Sequence, residues 1–89
     1  MSDDPRPAHG VHDGADWQRL HPARQRTGLS MTQLYLRYVA LGGSAPVAEL
    51  ASHFAAGTEL TSNEHNFAVL ALNERFLELD DPERLSYVG

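Results

Sequence analysis

The hydrophobic positions of the chain follow a helical period in three segments. Within each segment apolar residues recur three and four positions apart, which places them on one face of an α-helix, and the alternation typical of a strand is absent. The pattern predicts an all-α domain with three main helices over about 31–41, 45–56 and 62–79. We expect these helices to form a compact bundle, because each must bury its apolar face against another element.

Polar residues at the start of each segment support these boundaries. Each predicted helix is preceded by a hydroxyl residue that could cap it, namely Ser30, Ser44 and Thr61. Ser30 and Thr61 are each followed three residues later by a residue that can complete a capping box, Gln33 and Glu64. Glycines follow the first two segments and an Asp-Asp-Pro sequence follows the third, as expected where helices end.

The third segment, EHNFAVLALNERFLEL (64–79), carries an unusually wide apolar arc. On a helical wheel this arc covers about 200°, twice what a helix at the edge of a small domain needs, and Asn66 and Asn73 lie in its middle. Leu70 and Leu77 form a narrow stripe on one side of the two amides. Two interpretations stay open. The asparagines could bond loop carbonyls or tyrosine hydroxyls inside the domain, or they could set the register of a partner that meets the leucine stripe.

The excess apolar surface predicts a function in protein association. A chain of 89 residues has little core in which to bury so wide an arc. We therefore expect a non-enzymatic protein–protein interaction module, a regulatory accessory that binds another protein or a second copy of itself. The residues expected to meet that partner are Leu70, Asn73 and Leu77 on the third helix and Tyr35, Leu36 and Arg37 on the first.

The composition divides the chain into four predicted parts. In order, they are a disordered N-terminal arm (1–14), a short helical turn followed by a basic linker (15–29), the helical domain (30–80) and a loosely docked tail (81–89). Pro22 is expected to end the helical turn at residue 21, because a proline disfavours helical geometry in the residue before it. The tail is expected to dock through Leu85 and Tyr87.

The charge distribution bears on an alternative function. The net charge of −5 falls entirely on residues 31–89, since residues 1–30 carry four Asp and four Arg. The alternative is a helix-turn-helix DNA-binding regulator built from the second and third helices, with nucleic-acid contacts from Arg19, Arg24 and Arg26. An acidic domain attracts phosphates poorly, and the connection between those two helices is longer than the usual turn. Nucleic acid is therefore not the partner that we expect.

Candidate chemistry is sparse. The chain has no cysteine, which leaves neither a disulfide nor a thiolate metal site, and no catalytic or nucleotide-binding motif occurs. His53 and His65 are expected at the surface without a catalytic partner. The H-x-x-H-D-x-x-D string of residues 9–16 is a weak metal-binding signal in a segment that would have to become ordered. We expect no enzyme activity, no metal or other cofactor, and no small-molecule substrate.

Two further features concern location and kinship. The chain has neither an apolar run long enough to cross a membrane nor a signal-peptide pattern, so we expect a cytoplasmic protein without membrane binding. The sequences LYLRYVALGG (34–43) and EHNFAVLALNERFLEL (64–79) resemble two signature blocks of a family of small uncharacterised helical proteins found in actinobacteria. The resemblance covers residues 30–80. It implies a compact helical domain in the cytoplasm and brings no known ligand or functional residue with it.

Overall fold

Four helices form within the part of the chain that the structure describes. The computed structural model describes residues 17–88, and within that range no strand occurs. The helices are α1 (Leu20–Thr27), α2 (Met31–Ala40), α3 (Val47–Ala56) and α4 (Ser62–Glu78). The all-α prediction is confirmed, and α2, α3 and α4 correspond to the three predicted helices. The count of three is too low by one, because α1 occupies most of the segment predicted to be a basic linker.

The helix α1 corrects the prediction for Pro22. This residue does not end a helical turn but lies in the first turn of α1, where a backbone amide has no acceptor within the helix and its loss costs little. An eight-residue helix is not stable alone in water. It is held by burial of one face, formed by Leu20, Ala23 and Thr27, against α3 and α4.

The predicted caps are confirmed only in part. Ser30 and Gln33 form a complete capping box, with Gln33 N donating to Ser30 Oγ at 3.1 Å and Ser30 N donating to Gln33 Oε1 at 2.9 Å. At α4 only the Thr61 half forms, because the Glu64 carboxylate is bound elsewhere. Ser44 does not cap α3, which begins after Pro46; the Ser44 side chain also turns to Glu64.

One glycine has a conformational role in the packing. Gly57 ends α3 with a φ of 75°, in the left-handed region that glycine adopts without strain. The indole of Trp17 lies directly over it, so that a Cβ atom at this position would collide with the ring. Gly57 therefore allows both the turn out of α3 and the approach of Trp17.

The longest helix, α4, lies at the centre of the core. Its buried residues pack against α1 and α2, and α3 also packs against α1 and α2. The fully buried large side chains of the core come from all four helices, with Leu20, Leu34, Tyr38, Leu50, Phe54, Val69, Leu72 and Phe76 among them. The central position of α4 accounts for the width of its apolar arc.

Candidate interaction surface on the last helix

Asn73 holds the C-terminal tail by both atoms of its amide. Its Nδ2 donates to the Leu85 carbonyl at 3.0 Å, and its Oδ1 accepts from the Leu85 backbone N–H at 2.8 Å. The side chain is 7% exposed. A carboxamide has one donor and one acceptor side by side, so it satisfies the two polar groups of one residue's backbone at once. Asn73 is thus an internal clamp for the tail.

Asn66 makes the same pair of bonds two turns earlier along α4. Its Nδ2 donates to the Val88 carbonyl at 2.7 Å, and Val88 N donates to its Oδ1 at 2.8 Å. Since the later tail residue meets the earlier asparagine, the tail runs antiparallel to α4. We call Asn66 and Asn73 together the asparagine clamp. Of the two interpretations of these residues, the internal one agrees with this geometry.

The distance between Asn66 and Asn73 along α4 matches the distance between residues three apart in an extended chain. Residues seven apart on a helix lie about 10.5 Å apart and on nearly the same face. Residues three apart in a polyproline II chain are separated by about 9.3 Å and also face the same way, because that conformation has three residues per turn. In a β-strand, by contrast, residues three apart face opposite sides. The pairing of Leu85 and Val88 with the clamp therefore has the period of a polyproline II segment.

The burial of the tail side chains follows the same three-residue period. Leu85 is buried in the core, and Val88 is half-buried. Between them Ser86 is exposed, and Tyr87 is 53% exposed with its hydroxyl 3.5 Å from Asn73 Nδ2. The expectation that both Leu85 and Tyr87 would dock the tail describes Leu85 well, whereas the Tyr87 ring lies mostly in solvent.

A defined turn brings the tail back to α4. Asp80 adopts a φ of 58°, Asp80 N donates to the Leu77 carbonyl at 3.1 Å and Asp81 N donates to the Phe76 carbonyl at 2.9 Å, a Schellman motif. Arg26 of α1 then fixes the turn through two bonds to the Asp81 carboxylate, at 2.7 and 3.0 Å. These bonds and the Arg26 charge lower the pKa of Asp81.

An exposed apolar patch lies beside the clamp. Leu77, one turn after Asn73, is 62% exposed, and Leu70, on the other side of Asn73, is half-buried. The Tyr87 hydroxyl lies 3.5 Å from Asn73 Nδ2, which places the tip of this ring beside the helix turn that carries the two leucines. We call Leu70, Leu77 and Tyr87 the leucine–tyrosine patch. It joins two of the leucines predicted to meet a partner to one residue of the tail.

The residues predicted on the first helix have different environments. Leu36 is 64% exposed, with Val39 one turn away and also exposed. Tyr35 packs against the core, and its hydroxyl donates to the Ala45 carbonyl at 3.1 Å. Arg37 makes two bonds to the Glu78 carboxylate, at 2.8 and 2.9 Å. Hydrogen bonds from Arg37 and Arg75 lower the pKa of Glu78 to about 2.

Glu64 joins three parts of the chain near the start of α4. Its carboxylate accepts from the Tyr38 hydroxyl, from Ser44 N at 2.9 Å and from Ser44 Oγ at 3.1 Å, while the Tyr38 oxygen accepts from Ala45 N at 2.8 Å. Burial would raise the pKa of Glu64, but the bonds from Tyr38 and Ser44 outweigh it and lower the pKa. Burial, with the bond to Glu64, raises the pKa of Tyr38 to about 12.

The prediction of surface positions for His53 and His65 is wrong. Both are buried, at 0% and 1% exposure, and His53 Nε2 lies 2.9 Å from His65 Nδ1 with the rings edge to face. His53 Nδ1 lies 2.6 Å from the Thr58 carbonyl. The helical wheel already contained a signal for His65, since it lies on the same face as Ala68, Val69 and Leu72.

The predicted nucleic-acid contacts are partly occupied within the chain. Arg24 donates to the Leu29 carbonyl at 2.8 Å, Arg26 pairs with Asp81, and Arg19 is exposed. At the start of α4, the helix that would read bases, Glu64 and Asn66 are likewise bonded internally. This part of α4 therefore presents few free polar groups to a base edge.

Comparisons add no relative to these observations. No protein-family model, no characterised protein and no solved structure matches the chain. The resemblance of residues 30–80 to the actinobacterial family stays a prediction. None of the described helices is long and apolar enough to cross a membrane, and residues 17–88 contain no group of three or more potential ligands that could hold a metal ion. The string at 9–16 lies outside the described residues, as does the arm of residues 1–14.

Proposed function

We propose that the protein is a non-enzymatic protein-interaction module, acting as a regulatory accessory. The observation that carries the proposal is the leucine–tyrosine patch, in which Leu77 and Tyr87 are each more than half exposed on a rigid support. Exposed apolar side chains grouped on one part of the surface are typical of sites that bind other proteins. Tyrosine and leucine on such a support lose little side-chain entropy on binding.

The support beneath the patch favours this function over a loosely packed surface. Asn73 is locked by its bonds to Leu85, and the turn at Asp80 and Asp81 is fixed by Arg26. A preorganised patch binds with less ordering cost than a mobile one. The partner is either another protein or a second copy of this chain, and the exposed Leu36 and Val39 of α2 offer a further contact area.

The test replaces Leu77 by aspartate in the full-length chain. Leu77→Asp places a charge within the patch, while Val47→Asp introduces the same charge at an exposed position of α3 as the matched control. Neither side chain is part of the core, so the free energy of unfolding of each variant should lie within about 1 kcal/mol of the wild-type value. Tagged chains are recovered from the source cells, and the solution mass of each purified chain is measured at micromolar concentration.

We expect the wild type and Val47→Asp to recover the same partner protein or to show a doubled solution mass. Leu77→Asp should lose that partner or remain monomeric. An aspartate in the dry centre of an interface weakens binding by about tenfold or more. If all three chains stay monomeric and recover the same proteins in the same amounts, the proposed function is wrong.

A further inference from the structure

We propose that the asparagine clamp is a binding site for an extended segment of another polypeptide, and that residues 85–88 occupy this site as an intramolecular stand-in. The inference rests on the proposed function and names a kind of partner that would bind beside Leu70 and Leu77, in place of the tail and its Tyr87. The segment would have an apolar residue in the place of Leu85, a second in the place of Val88, and two residues of any kind between them.

The asparagine clamp recognises backbone groups. All four of its shortest bonds go to the N–H and C=O groups of Leu85 and Val88, at 2.7–3.0 Å. Backbone groups are the same in every sequence except at proline. Any chain that adopts the three-residue period could therefore make the same four bonds, and the clamp itself sets conformation rather than sequence.

Selectivity for sequence would come from a single enclosed position. Only one side chain of the tail segment is enclosed, since Leu85 is 7% exposed whereas Tyr87 is 53% exposed. A groove of about 310 Å³ continues from Leu85 between the tail and α1, with Pro22, Ala23 and Glu83 among its lining residues. The enclosed position requires an apolar residue, because Leu85 packs within the hydrophobic core.

The tail belongs to none of the four helices and is joined to α4 by the turn at Asp80–Pro82. Beyond the clamp, its main anchor is the side chain of Leu85. Recognition of an extended segment by main-chain hydrogen bonds plus a pocket for one side chain is an established mode of peptide binding.

The attached tail must compete with any segment that arrives from outside. A tethered ligand acts at an effective concentration in the millimolar range. A substitution that weakens tail docking should therefore open the site, while the clamp on α4 remains intact. Leu85→Ser in the full-length chain is the primary variant, and Leu85→Ala is the milder one that serves if the first does not fold as judged by circular dichroism.

The probe is a labelled synthetic peptide with the sequence of residues 83–89, ERLSYVG, whose binding is followed by fluorescence anisotropy. We expect it to bind the Leu85 variant about tenfold or more tightly than the wild type. Adding Asn73→Ala should weaken that binding about tenfold or more, because two hydrogen bonds are lost. Adding Asn63→Ala, which removes an exposed asparagine from the same helix, should leave binding unchanged.

A second peptide separates backbone recognition from apolar docking. Methylation of its leucine backbone nitrogen removes the donor to Asn73 Oδ1 and keeps the side chain. We expect about tenfold weaker binding. Equal affinity for the two peptides, indifference to Asn73→Ala, or no binding at millimolar peptide to a folded Leu85 variant would overturn the proposal.

Two further results would identify a different role for the clamp. If the wild-type chain doubles its mass and Asn73→Ala abolishes the doubling, the occupant is the tail of a second copy, and the proposal of a different partner segment is wrong. If the peptides fail while Leu77→Asp still removes a partner, the clamp is a structural device only, and the proposed function stands without it.

Discussion

Asparagine is the side chain that the tail contact requires. Asn73 presents a donor to the Leu85 carbonyl and an acceptor to the Leu85 N–H, and the contact is 7% exposed. An aspartate of the same shape would keep the acceptor but would place a charge beside the carbonyl, with no donor for it. Buried polar groups that lose a partner are costly, whereas the net value of each intact bond is modest.

We predict that Asn73→Asp lowers the free energy of unfolding at pH 7 by about 2–4 kcal/mol. The loss should shrink on acidification, because a protonated carboxyl regains a donor. Urea denaturation of the full-length chain measures both effects. Asn63→Asp, at an exposed position near the start of α4, should change stability by about 0.5 kcal/mol or less. Equal effects of the two substitutions would contradict the role assigned to Asn73.

Among the elements, α2 and α4 are joined by a polar contact as well as by the core. The Tyr38 hydroxyl donates to Glu64 and accepts from Ala45 N, so that one buried group links both helices to the start of α3. Glu64 was expected to serve a capping box in its own helix. The structure uses it for the connection between α2 and α3, which a local motif cannot reveal.

This contact predicts a loss of stability at high pH. The pKa of Tyr38 is raised to about 12 in the folded chain, compared with about 10 for a tyrosine in an unfolded chain. The raised pKa means that folding favours the neutral phenol. Its contribution is therefore complete below pH 10 and is lost as the pH rises from about 10 to about 12.

Tyr38→Phe is the control for that prediction. It removes the hydroxyl and its bonds, so the variant should be about 1–2 kcal/mol less stable than the wild type at pH 7. Its stability should also decline less between pH 9 and 11, as measured by urea denaturation at each pH. Tyr35 and Tyr87 are present in both chains and cancel. An equal decline in the two chains would show that Tyr38 does not titrate as the structure requires.

For the molecule as a whole, the strong helices were predictable and the contacts between distant segments were not. Periodicity, one complete capping box and the glycines were sufficient to locate α2, α3 and α4 within two residues. The helix α1 escaped prediction because eight residues with an internal proline carry little periodic signal. It depends on burial of Leu20 and on the Arg26–Asp81 pair, whose members lie 55 residues apart.

For the candidate surface, likewise, the helix positions were predictable and the contacts with the tail were not. The wide arc and the line of amides on α4 were visible in the sequence, as were the exposed leucines. The groups that these amides bind could not be predicted, because Asn66 and Asn73 bind backbone groups, which are the same whatever the sequence. His53 and His65 were misplaced because polarity was taken as a sign of exposure, although each ring is satisfied inside the core.

The tail and α4 together form the proposed interaction surface. Asn66 and Asn73 hold the tail there by the backbone of two residues three positions apart, Val88 and Leu85. Amide hydrogen exchange of the full-length chain, resolved residue by residue, tests it directly. We predict that the Leu85 and Val88 amides exchange about tenfold or more slowly than those of Ser86 and Tyr87, and that Asn73→Ala removes the protection at Leu85. Equal, fast exchange at all four residues would contradict it.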